Sequence, residues 1–109
     1  MDRDVTPEQA EQLAAQGAQL IDVREDHEWD AGRIAGARHI ELPDVAAQAP
    51  TIDRDTPVVF YCRVGARSAM AADAFRKAGY EAYSMAGGLE AWAGGGRPLE
   101  PEDGKVAAH

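Results

Sequence analysis

The single cysteine of the chain, Cys62, stands in the segment CRVGARS among residues that favour an ionised thiol. Arg63 and Arg67 bring two positive charges close to it in sequence, and a guanidinium group binds an oxyanion through a planar fork of donors. Gly65 permits a backbone turn that a β-carbon would hinder. Because the thiolate is the nucleophilic form of cysteine, this segment predicts a reactive Cys62 in an anion-binding loop.

The count of cysteines excludes several other kinds of chemistry. One cysteine cannot form an internal disulfide, and CxxC zinc sites and CxxC redox sites need two. The histidines at 27, 39 and 109 carry no signature of a papain-like hydrolase. The carboxylates between residues 22 and 30 lack an ordered ligand spacing, so we interpret them as a solvated acidic face. We therefore expect neither a metal nor an organic cofactor.

Strand and helix patterns alternate along the chain, which predicts an α/β fold with an open, mainly parallel sheet. The run at 58–61 is the strongest strand pattern, and its continuous β-branched and aromatic character is typical of a strand covered on both faces. Sites in such sheets form beyond the carboxyl ends of the strands, which is where Cys62 stands. We predict further strands at 19–23 and 81–85, and residues 34–40 should lead through a turn into another strand that ends before Pro43. Helical segments are predicted at 6–15, 25–30, 44–48, 67–78 and 88–93.

The length and charge of the chain limit its organisation and partners. A chain of 109 residues has the size of one domain, which we place at residues 1–100, with a loosely ordered tail at 101–109. The net charge of −8 argues against nucleic acid or an anionic membrane as a partner. No apolar run is long enough to span a membrane, and the polar, acidic N-terminus is unlike a secretory signal. We therefore expect a cytoplasmic protein.

Three ordered blocks of the sequence resemble the rhodanese homology domain, and the resemblance covers nearly the whole chain. The strand and loop VVFYCRVGARS resemble its active-site segment. LIDVRE, followed by EW and GRIAGA, resembles its N-terminal signature, and the closing signature is matched by GY, MAGGL, AW and GRP. The resemblance implies a rhodanese-like three-layer fold, in which helices cover both faces of the central sheet.

The resemblance also implies a reaction, namely sulfane-sulfur transfer through a Cys62 persulfide. The donor would be a small anion such as thiosulfate, and the acceptor would be cyanide in an assay or a cellular thiol. Backbone N–H groups would cradle the persulfide, and Arg63 or Arg67 would hold the sulfonate of the donor. The implied binding residues are Arg63, Val64, Gly65, Ala66, Arg67 and Ser68.

The chain departs from the family pattern in two places, and alternatives stay open. Residues 33–36 read RIAG where the family commonly has HIPG, and the loop lacks the lysine of some thiosulfate-preferring members. Activity with thiosulfate is expected in vitro, whereas the physiological donor stays open. One rival is a sulfur carrier that serves a relay protein. A second is a cysteine phosphatase or arsenate reductase. The loops of those enzymes follow the pattern Cys-x5-Arg, whereas only four residues separate Cys62 from Arg67 here.

The roles of Asp22 and Arg24 also stay open. Both residues stand at the end of a predicted buried strand. We expect them to pair with each other near the active loop as part of the scaffold. Assistance by Arg24 in anion binding is the alternative.

Overall fold

A five-stranded parallel sheet forms the centre of the structure, a computed structural model that describes residues 4–109. The strand order is β1-β5-β4-β2-β3, and every neighbouring pair is parallel. The first three residues of the predicted domain lie outside the described residues. The strands are β1 (Asp4–Val5), β2 (Gln19–Asp22), β3 (Arg38–His39), β4 (Val58–Tyr61) and β5 (Ala82–Met85).

Three α-helices connect strands and a fourth follows β5, and the helix ends agree with the sequence patterns to within two residues. Helix α1 starts with the expected capping box, in which Thr6 and Gln9 exchange hydrogen bonds between side chain and backbone. Gly17 follows α1 with a φ of +102°, as a left-handed helix ending requires. The helices are α1 (Pro7–Ala15), α2 (Asp26–Ala31), α3 (Ala66–Lys77) and α4 (Gly88–Gly94).

The prediction of a short helix at 44–48 is wrong. Two 3₁₀ turns, Leu42–Asp44 and Ala49–Thr51, flank non-helical turns in this region. Pro50 follows this segment and cannot supply the backbone N–H with which a helix from residue 44 would continue. Strand β1 was not predicted, because two residues are too few to show an alternating pattern.

Strand β4 occupies the middle of the sheet and carries the cysteine at its carboxyl end. It pairs with β2 through Leu20 and Val59, and with β5 through Val59 and Tyr83. All four of its residues are fully buried, as a strand covered on both faces requires. The parallel arrangement brings the segments that follow β2, β4 and β5 to one edge of the sheet, where Cys62 lies.

Helices pack on both faces of the sheet, which confirms the predicted three-layer α/β architecture. Phe75 of α3 packs with Phe60 on one face, their ring centroids 5.0 Å apart. On the other face Ala10 of α1 and Trp92 of α4 pack with Val59. None of the helices among residues 4–109 has the length and apolar character needed to cross a membrane.

The segment after α4 contacts the C-terminal end of α2 and the residues that follow it. Arg33 and Glu100 exchange two backbone hydrogen bonds of 2.9 and 2.7 Å. Beyond them, the Lys105 N–H donates to the carbonyl of Ala31 at 2.8 Å, and Val106 packs against the α1–α4 core. Residues 101–109, for which we expected a loosely ordered tail, thus include backbone and core contacts.

Candidate active site

The sulfur of Cys62 lies inside the loop that connects β4 to α3, surrounded by hydrogen-bond donors. The N–H groups of Gly65 and Ser68 point at Sγ from 3.1 and 3.4 Å, and the Ser68 hydroxyl lies 3.5 Å away. The cysteine is 1% exposed. Because the loop enters the N-terminus of the twelve-residue α3, the positive end of the helix dipole adds to these donors. The arrangement is a small cradle for a negatively charged sulfur.

These contacts decide the ionisation of the thiol. Burial raises the pKa of Cys62, but hydrogen bonds from the Ser68 hydroxyl and from the N–H groups of Ser68, Gly65 and Val64 outweigh burial. The pKa therefore lies below the ordinary value of 9.0. A lowered pKa increases the fraction of the nucleophilic thiolate near neutral pH.

Gly65 allows the loop to close over the sulfur. Its φ is +116°, a conformation that residues with a β-carbon rarely adopt. A turn at this glycine is predicted from the sequence, and in the structure its N–H points at Sγ. The turn therefore supplies both the shape and one donor of the cradle.

The loop is also held from the opposite side by the N-terminus of α4. The N–H groups of Leu89 and Glu90 donate to the carbonyls of Cys62 and Arg63 at 2.8 and 3.1 Å. A β-carbon at Gly88 would meet both of these carbonyl oxygens at 2.5 Å, so only glycine permits this close approach. We did not select Gly88 as a site residue, although its signal was present in the closing signature.

The two loop arginines have different surroundings. Both terminal nitrogens of Arg67 bind the carboxylate of Glu28, Nη1 to Oε1 at 2.8 Å and Nη2 to Oε2 at 2.9 Å. The Arg63 Nε lies 2.8 Å from Oε2 of Glu90, and the side chains of this pair are 36% and 47% exposed. Arg67 therefore joins the loop to α2, whereas Arg63 lies at the open rim.

The solvated acidic face predicted at residues 22–30 is wrong at Asp22, which is buried, and at Glu28. The side chain of Glu28 is fully buried, and it also accepts a hydrogen bond from the Glu25 N–H in the capping box of α2. Burial raises the pKa of Glu28, but the hydrogen bonds and charge of Arg67 lower the pKa by more than burial raises it. The net pKa is therefore below 4.5. The carboxylate is therefore a charged partner of Arg67.

Asp22 and Arg24 form the predicted pair at the end of β2. Arg24 Nη2 lies 2.7 Å from Asp22 Oδ2, and both side chains are fully buried. The same nitrogen donates to the carbonyl of Gly32 at 2.7 Å. Among the described residues, Arg24 Nη1 is the buried side-chain nitrogen or oxygen that lacks a hydrogen-bond partner. The guanidinium group ties the end of β2 to the end of α2, which is a scaffold role.

The remaining loop residues contribute through the backbone. Val64 and Ala66 expose their side chains to solvent, so their part in the cradle is limited to their N–H groups.

One further cluster contains potential metal ligands. Within residues 4–109, Glu25, Glu28 and His109 bring ligand atoms within 4.8 Å of one another. Both oxygens of Glu28 already bind Arg67, so this cluster does not indicate a metal centre.

Known proteins resemble this chain in sequence and in structure. The family described as Rhodanese-like domain matches residues 6–94. The thiosulfate sulfurtransferase GlpE of Pseudomonas aeruginosa strain LESB58 is 40% identical over 100 residues, covering 91% of this chain and 87% of GlpE. A putative sulfurtransferase of Bacillus subtilis, YtwF, is 39% identical over 79 residues, covering 72% and 77% of the two chains. The crystal structure of a rhodanese-related protein from Thermoplasma volcanium superposes with a TM-score of 0.83 at 25% identity, covering 89% of this chain and 96% of that one.

Proposed function

The chain belongs to the family of rhodanese-like domains, and we propose that it is a sulfurtransferase in which Cys62 carries sulfane sulfur as a persulfide. The convergence of the Gly65 N–H, the Ser68 N–H and the Ser68 hydroxyl on Sγ carries this proposal. Such a cradle stabilises a thiolate before the reaction and a terminal persulfide anion after it. Dividing one difficult transfer into two displacements is the advantage of covalent catalysis.

In the first displacement, the Cys62 thiolate attacks the outer sulfur of a donor such as thiosulfate. A bond forms between Sγ and that sulfur, while the sulfur–sulfur bond of thiosulfate breaks and its electron pair leaves with sulfite. In the second displacement, cyanide or a cellular thiolate attacks the terminal sulfur, and the electron pair of the breaking bond returns to Sγ. No metal, organic cofactor or external oxidant takes part in either step.

The anion-binding roles divide between backbone and side chains. We assign the persulfide to the N–H groups of the loop from Arg63 to Ser68, because those of Gly65 and Ser68 already point at Sγ. We assign the sulfonate of the donor to Arg63, because its exposed pair with Glu90 is cheap to open. Arg67 supports the site through its charge near Cys62 and its bonds to Glu28.

The partners and the compartment follow from the same chemistry. The donor is a small sulfur anion, the acceptor is a thiol in the cell or cyanide in an assay, and a sulfur-relay protein is the alternative on either side. A reactive thiol without a second cysteine suits a reducing compartment, so we propose the cytoplasm.

Intact-protein mass spectrometry after incubation with thiosulfate tests the proposal. We expect a gain of one sulfur atom, located on Cys62 by peptide mapping, removed by cyanide and absent from Cys62→Ser. Circular dichroism of Cys62→Ser provides the control for folding. Sulfur transfer retained by a folded Cys62→Ser variant would refute the proposal. A protein that loads sulfur from a desulfurase but not from thiosulfate would instead be a carrier.

A further inference from the structure

The hydroxyl group of Ser68 has three neighbours but only one hydrogen. Its oxygen lies 3.5 Å from Cys62 Sγ, 3.2 Å from the Gly65 carbonyl oxygen and 2.7 Å from the hydroxyl oxygen of Ser84. A carbonyl oxygen and a thiolate can only accept, whereas a serine hydroxyl can donate or accept. The direction of the contact between the two serines therefore determines whether the hydrogen of Ser68 is available to the sulfur.

The surroundings favour donation from Ser84 to Ser68. Ser84 lies on β5 and is 2% exposed, and among the described residues its hydroxyl has a hydrogen bond to Ser68 only. Its hydrogen is therefore satisfied when it points at Ser68. The Gly65 carbonyl already accepts the N–H of Ala69 at 3.0 Å, so it does not need the hydrogen of Ser68. A thiolate is then the strongest acceptor left for Ser68.

We propose that Ser84 is a positioning residue for sulfur transfer, which donates its hydroxyl hydrogen to Ser68 and thereby directs the hydrogen of Ser68 to the sulfur of Cys62. The two hydrogen bonds, from Ser84 to Ser68 and from Ser68 to Sγ, lie inside the protein, where water does not compete. Consecutive hydrogen bonds polarise one another, so the first bond strengthens the second. The role rests on the proposed function of Cys62 as the nucleophile, but the thiol can be measured without any sulfur transfer.

Charged groups also surround the loop, and their contacts must stay unchanged in the test. They come from the loop itself, from α2, from α4 and from the end of β2. The groups are Arg63, Arg67, Glu28, Glu90, Asp22 and Arg24. None of these side chains makes a hydrogen bond or ion pair with Ser84, so a substitution of Ser84 leaves their direct contacts in place.

The test is the rate of alkylation of Cys62 by iodoacetamide as a function of pH, followed by intact mass in the full chain. In Ser84→Ala the Ser68 hydrogen is free to turn to the Gly65 carbonyl. We expect alkylation about tenfold slower below the midpoint of the parent profile, a midpoint displaced to higher pH, and recovery of the parent rate at high pH. Unlike a sulfur-transfer assay, this measurement is independent of donor and acceptor.

Four further variants, among them Ser68→Ala and its combination with Ser84→Ala, separate this role from a packing effect. Ala82→Gly removes a buried methyl group from the same strand and should keep the parent pH profile. Ser84→Thr retains the hydroxyl group and should also retain the parent pH profile. Because Ser84 acts through Ser68, adding Ser84→Ala to Ser68→Ala should change the profile no further.

The opposite results overturn the inference. They are a parent-like profile in folded Ser84→Ala, an equal displacement in Ala82→Gly, or independent effects of the two serine substitutions. If Ser84→Ala does not fold, loss of the parent profile in folded Ser84→Thr has the same consequence. The proposed function would fail separately, by the absence of sulfur loading on a Cys62 whose alkylation is normal.

Discussion

At the scale of single residues, the two arginines of the active loop differ in burial, and burial determines what each can do. Arg63 pairs with Glu90 at a rim where both side chains are exposed, so the donor can compete for its guanidinium group with little loss of stability. Arg67 is held by two hydrogen bonds to a fully buried carboxylate. We therefore expect substitutions of Arg63 to affect donor binding and substitutions around Arg67 to affect folding.

Arg63→Ala tests the first half of this division. The free energy of unfolding should fall by less than about 1 kcal/mol, because exposed ion pairs contribute little. The KM for thiosulfate should rise several-fold, because the sulfonate loses its guanidinium partner. Thiosulfate kinetics and urea unfolding measure the two effects, with Lys77→Ala, which removes an exposed charge at the end of α3, as the control for loss of a positive charge. An unchanged KM would remove Arg63 from the anion site.

Glu28→Gln tests the second half and has a definite pH dependence. The substitution leaves Arg67 without its carboxylate and should lower the free energy of unfolding by about 3 kcal/mol at neutral pH. Since the folded-state pKa of Glu28 lies below 4.5, its contribution is present above that pH and is lost as the pH falls through the lower folded value.

The difference between parent and Glu28→Gln should therefore be full at neutral pH and shrink as the pH falls below 4.5. Urea unfolding across this range measures it. Glu90→Gln removes an exposed carboxylate from Arg63. Its free energy of unfolding should differ little from that of the parent at every pH. A difference for Glu28→Gln that is independent of pH would contradict the assignment of a charged carboxylate.

At the scale of elements, α4 fixes the active loop from outside by two hydrogen bonds to its carbonyls. Gly88→Ala should displace the loop, because its β-carbon would meet backbone atoms of Cys62 and Arg63 at 2.5 Å. We expect sulfur transfer and the fast alkylation of Cys62 to be lost together. Gly36→Ala is the matched control, because Gly36 also has a positive φ, +85°, but open space around it. Equal effects of the two substitutions would show that backbone strain, and not the loop contact, is responsible.

The elements were predictable where the information is local. Strand β4 has the bounds predicted from its β-branched and aromatic run, and α3 begins one residue before the predicted start. The turn at Gly65 and the position of Cys62 after β4 followed from the same local patterns. The structure differs at residues 44–48, where the segment DVAAQ is too short to specify a helix and Pro50 follows it.

The partners of the site were not predictable, because they come from distant parts of the chain. Glu28 precedes Arg67 by 39 residues, and its acidic neighbours in sequence gave it the appearance of a surface residue. Ser84 follows Ser68 by 16 residues, and a lone serine in a strand has no pattern of its own. Only the parallel packing of β2, β4 and β5 brings these groups together.

At the scale of the whole molecule, the cradle concentrates positive potential within a chain whose net charge is −8. The thiolate depends on short contacts with N–H groups, the Ser68 hydroxyl and the Arg67 charge, which are strongest inside the protein. The global charge opposes the approach of an anionic donor, and salt screens that long-range field more than the short contacts. We therefore expect capture of the donor to depend on the loop and on the elements that hold it.

The C-terminal segment belongs to this scale because it closes the domain against α2, the helix that carries Glu28. Removing residues 101–109 deletes the hydrogen bond from the Lys105 N–H to Ala31 and the core contact of Val106. We expect the free energy of unfolding to fall by about 2 kcal/mol, from one hydrogen bond and one partly buried valine. Urea unfolding measures the loss. Removing only residues 107–109 keeps both contacts and should cost less than about 0.5 kcal/mol. If the longer deletion were as harmless as the shorter one, residues 101–106 would be as loosely held as their composition suggests.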